Sequence, residues 1–171
     1  MSPINVINPL KIIFLLFIMA SCSTLVEDEN MNKNNVIYKI RSIDSNFINF
    51  ETLLFVDIDT QSLLHIKKGT VLKQYSISSS YYGTGSRENS FKTPLGRHEI
   101  YKKIGNDLPV NAILKGRVWS GAIADIIEEP LDTDFDHVTS RILWLDGLEV
   151  GKNKGKGIDS RDRYIYIHGT A

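Results

Sequence analysis

Apolar and polar positions along this chain fall into short runs with a period near two, interrupted by clusters of glycine, serine, asparagine and proline, and such a pattern predicts strands. Glu51 to Asp59 and Leu63 to Lys67 read as two strands joined by the polar turn Asp59-Thr60-Gln61-Ser62, a hairpin that opens a β-domain. Val71 to Ser78 alternates as a third strand, and the Gly, Ser and Asn cluster from Ser78 to Ser90 is a long loop. Thr93-Pro94-Leu95-Gly96 punctuates again before a fourth strand at His98 to Lys102, and Pro109 precedes a further apolar stretch through Trp119. Arg141 to Leu145 and Tyr164 to Ile167 complete a mainly β pattern with long polar loops. No helix is compelling; Gly121 to Glu129 has room for a short one, ended by Pro130, but its periodicity is too brief to decide. There is no internal repeat and no low-complexity tract.

The N-terminus follows a different pattern. A short start containing Lys11 leads into the apolar run Ile12 to Ala20 and then Ser21-Cys22. A run this short cannot cross a bilayer core, which takes about 20 helical residues, and it has the size of a secretory h-region. From Ser23 to about Asn46 the composition turns to Asn, Asp, Glu and Ser, which favours a tether over a packed element. The expected organisation is a leader over residues 1–21, a tether over 22–46 and one domain over 47–171.

Charge narrows the function classes. Lysine plus arginine and aspartate plus glutamate balance at 20 each, and loss of Lys11 with the leader leaves 19 against 20, a net charge of −1. Nucleic-acid binders carry a basic surplus or stripe, so a polyanion partner is not expected. The densest basic run, Lys152 to Lys156, is glycine-rich and reads as a solvated loop.

Several motifs fail on spacing. Gly83-Thr84-Gly85-Ser86 would need a third glycine where Glu88 stands to form a dinucleotide fingerprint, and Gly151 to Gly157 lacks the P-loop spacing, so both read as turn glycines. Asp132-Thr133-Asp134-Phe135-Asp136 begins like a calcium loop but has His137 where glycine is needed and Leu143 where glutamate is needed. His65, His98, His137 and His168 show no close metal-ligand spacing, and Cys22 is the single cysteine, so no zinc site is expected. His65, inside a strand, reads as structural. No Gly-x-Ser-x-Gly elbow supports a serine hydrolase. No cofactor is implied.

One histidine stands out. Tyr164-Ile165-Tyr166-Ile167 reads as a strand and hands over to His168-Gly169-Thr170, the kind of strand end where catalytic side chains are held. The only cysteine, Cys22, lies at the other end of the chain.

The order of motifs is more specific than any one of them. Tyr82-Gly83-Thr84-Gly85-Ser86, Asn89 to His98 with Lys92-Thr93-Pro94-Leu95-Gly96-Arg97-His98, Thr139-Ser140-Arg141-Ile142-Leu143-Trp144-Leu145-Asp146-Gly147-Leu148-Glu149, and Arg163 to Thr170 together resemble the L,D-transpeptidase (YkuD) family over roughly residues 50 to 171. The resemblance implies a β-sandwich-like catalytic domain and attack by a cysteine on a diaminopimelate carbonyl of a peptidoglycan stem peptide. D-alanine leaves, and the acyl group passes to an amine of a second stem peptide or of a protein. In that scheme His168 matches the histidine that activates the thiol, and Gly169 matches the residue whose carbonyl orients the imidazole. Arg141 and Trp144 are expected to line or brace the substrate cleft, with Trp144 equally suited to the core. The family pattern continues past His-Gly-Thr to Ser-His-Gly-Cys, which is not in these residues. The sequence therefore reads as a C-terminally incomplete domain, inactive as written. The alternative is a catalytically inactive, membrane-tethered module that binds peptidoglycan; a degenerate gene product is a third reading.

Met19-Ala20-Ser21-Cys22 also resembles the lipobox of bacterial lipoproteins. That resemblance makes Cys22 a lipidated anchor, and several acyl chains hold a protein stably on a membrane. It implies a Gram-negative envelope location facing the periplasm, with Ser23 favouring the outer membrane.

Overall fold

The computed structural model describes residues 12–14, 29–127 and 137–170. Its elements are β1 (Ile12–Phe14), α1 (Glu29–Ile43), a 3-10 turn at Phe47–Asn49, β2 (Leu53–Asp57), β3 (Ser62–Lys67), β4 (Thr70–Ser76), β5 (Arg97–Ile104), β6 (Ala112–Lys115), β7 (Val118–Ile123), β8 (Thr139–Gly147) and β9 (Tyr166–Gly169). A six-stranded sheet runs β1-β5-β8-β6-β7 with β9 also on β8, and a three-stranded sheet runs β2-β3-β4. The strands paired among the described residues run antiparallel. The expectation of a mainly β, sandwich-like domain therefore holds. Among the described residues no helix is long and apolar enough to cross a membrane.

Strand register explains why Leu53-Leu54-Phe55-Val56 is a continuous apolar run. Side chains alternate faces along a strand, and both faces of this hairpin are covered. Leu53 and Phe55, with their cross-strand partners Ile66 and Leu64, join Ile40 and Phe47 in one buried cluster on the helix side. Val56 and its partner Leu63 join Ile100 and Leu145 of the larger sheet in a second cluster on the other side. The domain is thus layered as helix, small sheet and large sheet.

Three expectations need correction. The segment read as a tether contains α1, whose Ile40 is 2 % exposed, with Val36, Ile37 and Ile43 packed beside it. These four recur at helical spacing and form one stripe facing the small sheet, and Lys39 Nζ adds an ion pair to the buried Asp57 at 2.7 Å. The possible helix at Gly121 to Glu129 is instead strand at its start: Gly121 to Ile123 end β7, where Ile123 pairs with Ala112, while Ala124 to Ile127 carry no regular structure. The loop read as solvated holds a buried Asn153, and Lys154 Nζ reaches Asp146 Oδ1 at 2.5 Å, because the loop folds back against β5 and β8 instead of into water.

Of the leader, Ile12–Phe14 pairs with Arg97–Glu99 of β5. The rest of that run, Cys22 and the Asp132 to Asp136 segment lie outside the described residues.

Candidate active site

β9 lies antiparallel on β8 with Trp144 opposite Tyr166, Leu143 opposite Ile167 and Ile142 opposite His168. Leu143, Ile165 and Ile167 pack on the inter-sheet core. Alternation then places Trp144, Tyr166 and His168 on the opposite face, away from that core. The strand begins later than expected, at Tyr166, because Tyr164 sits in the left-handed region (φ +57°) at the end of a turn.

His168 Nδ1 lies 2.9 Å from the carbonyl oxygen of Gly169. A carbonyl only accepts, so Nδ1 carries the proton and Nε2 is left as the acceptor. Gly169 is needed for close approach: a Cβ there would meet Thr139 Oγ1 at 2.9 Å and Thr139 O at 3.1 Å. That hydroxyl is buried and has no hydrogen-bond partner among the described residues. The glycine lets β9 lie tight against the start of β8, which fixes the carbonyl that orients His168.

Beside the histidine is an aromatic cluster. Trp144 meets Tyr101 edge-on at 5.3 Å between centroids, Tyr166 edge-on at 5.9 Å and Tyr164 at 5.6 Å. Its Nε1 donates to Arg161 O at 3.0 Å, so the indole is held at both its apolar and its polar end. Tyr101, Trp144, Arg161, Asp162 and Tyr164 line an open depression of about 250 Å³. Arg161 lies over Tyr101 and within ion-pair distance of Asp146 and Asp162.

The glycine loop and the basic loop are stitched together by hydrogen bonds. Arg163 donates to Gly85 O and Lys92 O, and Glu88 N–H donates to Gly157 O. Gly96, at φ +99°, lets Glu149 come so close that a Cβ would stand 2.5 Å from its Oε1. His98, fully buried, donates from Nδ1 to Gly96 O at 2.9 Å and accepts at Nε2 from the Ser160 hydroxyl at 2.8 Å.

Burial pushes the His98 imidazole down from 6.5 to about 4. Its folded pKa lies below its unfolded one, so its neutral form stabilises the fold above pH 6.5 and that contribution is lost as pH falls towards 4. Through that window the expected loss approaches 1.4 kcal/mol for each pH unit. Urea titrations at pH 7, 5.5 and 4.5 on the chain and on His98→Gln check this. The gap between them should shrink on acidification; a constant gap removes His98 as the cause.

Residues 51–171 match the family model of the L,D-transpeptidase catalytic domain, YkuD. The chain belongs to the L,D-transpeptidase family. Searches of curated proteins and of solved structures give no match. The matched span takes in both stitched loops and the strand that carries His168.

Within this L,D-transpeptidase domain, the structure brings His168, Gly169 and the aromatic cluster to adjoining positions on β8 and β9. Trp144 stands on the outer face and takes no part in either of the two buried clusters described above. Arg141 is placed differently: its Nη1 donates to Ser140 O at 2.7 Å and its Cδ lies by Gly105, within the irregular stretch between Thr139 and Ile142. Cys22 is outside the described residues. Among the described residues no group of His, Cys, Asp and Glu is arranged to hold a metal. Sequence reasoning missed Arg117, whose guanidinium lies on Trp144 and Tyr164. Its only local signal was Lys115-Gly116-Arg117, a turn. Tyr101, Tyr164 and Arg161 were also missed; the alternation of Arg161-Asp162-Arg163-Tyr164-Ile165-Tyr166 was the available hint.

Proposed function

We propose that this L,D-transpeptidase domain transfers diaminopimelate acyl groups of peptidoglycan stem peptides, with His168 as base. The observation that carries this is the Nδ1 contact to Gly169 O at 2.9 Å, which leaves Nε2 free to take a proton. In this reading Nε2 accepts the thiol proton as the sulfur attacks the diaminopimelate carbonyl, and backbone N–H donors hold the oxyanion. The tetrahedral centre collapses to a thioester, and D-alanine leaves as an amine carrying the proton from His168. An acceptor amine then attacks the thioester, its proton passes through His168, and the thiol is restored.

The 171 residues contain one cysteine, Cys22, which this reading assigns to lipid. It places the domain in the envelope, facing the periplasm from a membrane anchor; recovery of the mature protein, and of a Cys22→Ser variant, equally in the aqueous phase on detergent partitioning would remove that anchor. The thiol belongs to a Ser-His-Gly-Cys segment that the family carries after His-Gly-Thr. These 171 residues alone are therefore expected to form no covalent adduct with a carbapenem, a thiol-directed probe, by intact-mass spectrometry; a stable acyl adduct would place the nucleophile elsewhere in the chain. The coding DNA after the Ala171 codon tests the enzyme reading directly. In-frame Ser-His-Gly-Cys supports it, and a stop without that motif supports the second reading.

The second reading is a catalytically inactive, membrane-tethered module that binds peptidoglycan. Failure to sediment with purified peptidoglycan removes it.

A further inference from the structure

The β6–β7 hairpin closes through Gly116 and Arg117, with Lys115 and Val118 paired across the turn. Both central residues lie in the left-handed region, at φ +55° and +70°. Such two-residue turns favour Gly or Asn at these positions, and a bulky residue held there costs of order 1 kcal/mol or more. An arginine that persists in this conformation points to a use for its side chain.

The side chain goes to one place. The Arg117 Cζ lies 4.9 Å from the Trp144 ring centroid and 4.8 Å from that of Tyr164, and Nη1 donates to the Tyr166 hydroxyl at 3.0 Å. The guanidinium is thus fixed on an aromatic platform, with one hydrogen bond to orient it and further N–H donors left over. Arg161, the other arginine on the cluster, reaches Asp146 and Asp162. Among the described residues Arg117 has no carboxylate within ion-pair distance. A guanidinium preorganised in this way is suited to bind a planar carboxylate through two parallel hydrogen bonds. Tyr166, which it grips, is two residues before His168 on the same face, a separation along the strand of about 7 Å. That is roughly the span of two residues of an extended peptide.

We propose that Arg117 is a specificity-determining anchor for a free carboxylate of the substrate peptide, bound one to two residues from the carbonyl presented to His168. The proposal rests on the stem-peptide reading above, because diaminopimelate peptides carry free carboxylates at that range. It deepens that reading by naming the residue that selects the acid over the carboxamide.

Calorimetric titration of the 171-residue chain with a diaminopimelate-containing tetrapeptide, and with the same peptide as its carboxamide, tests this. The free acid is expected to bind at least about tenfold more tightly at low salt. In Arg117→Gly and Arg117→Asn the two forms should bind alike. Both variants suit the turn, so the thermal midpoint is expected to hold or rise while discrimination is lost. That split separates a ligand-binding arginine from a structural one, whose removal would lower the midpoint and leave the acid-to-amide ratio unchanged. Equal binding of the two forms by the parent chain, or an undiminished acid preference in both variants, overturns the proposal and leaves the stem-peptide reading standing. Absence of binding by either form overturns both.

Discussion

Replacing Ile40 with aspartate is expected to cost about 4 kcal/mol or more of folding stability, and replacing it with alanine about 2 to 4 kcal/mol. Ile40 is 2 % exposed and packs with Phe47, Leu53, Phe55, Leu64 and Ile66 between α1 and the small sheet. Truncation removes buried methyl groups and leaves a cavity, while the carboxylate adds an unpaired charge in an apolar layer. The helix can escape the charge by undocking, so the cost is capped by the docking free energy, and loss of helical circular dichroism should then accompany the drop. Urea unfolding of the 171-residue chain measures both variants. A change within about 0.5 kcal/mol, the size seen at exposed sites, would restore the tether reading of this segment.

The helix shows how local composition misled. Asn30, Asn32, Asn34 and Asn35 set the character of the segment, and asparagine is a poor helix former. The stripe Val36, Ile37, Ile40 and Ile43 was present but short, and its stability comes from the sheet it covers, which no local window sees. The hairpin that it covers was legible, since Asp59 to Ser62 is turn chemistry and the flanking runs are β-branched and apolar. Residues 53–56 do not alternate, and only the second layer explains why. At the site, His168 and Gly169 were legible because strand, histidine and glycine are contiguous. Arg117 was not: its partners Trp144, Tyr164 and Tyr166 lie 27 or more positions away, and its turn conformation contradicts its residue type.

The loop from Gly147 to Tyr164 carries the other large expected effect. Asn153→Ala is expected to destabilise the domain by about 4 kcal/mol, more than its place in a lysine- and glycine-rich loop would suggest. Asn153 is fully buried. Its amide nitrogen donates to Leu95 O at 3.0 Å and Arg97 O at 2.9 Å, and its side-chain oxygen accepts from Glu149 N–H at 2.8 Å. The two amide N–H bonds tie the loop to the entry of β5 and the third closes the loop on itself, at the same junction that Glu149 and His98 hold through Arg97 N–H, Gly96 O and Ser160. Alanine deletes all three and leaves the Leu95 carbonyl and the Glu149 amide without these partners, each at about 1 to 3 kcal/mol when buried. Arg97 O suffers less, because it also accepts from Leu148 N–H. Asn153→Asp is the sharper control: its oxygen can still accept from Glu149, but its other oxygen faces two carbonyls that cannot donate, so it should be at least as damaging as alanine at neutral pH. Thermal unfolding of the two variants decides it. If both melt within a degree or two of the parent, the loop is held by its ion pairs and backbone alone, and the buried amide is incidental to the junction that supports β8 and β9.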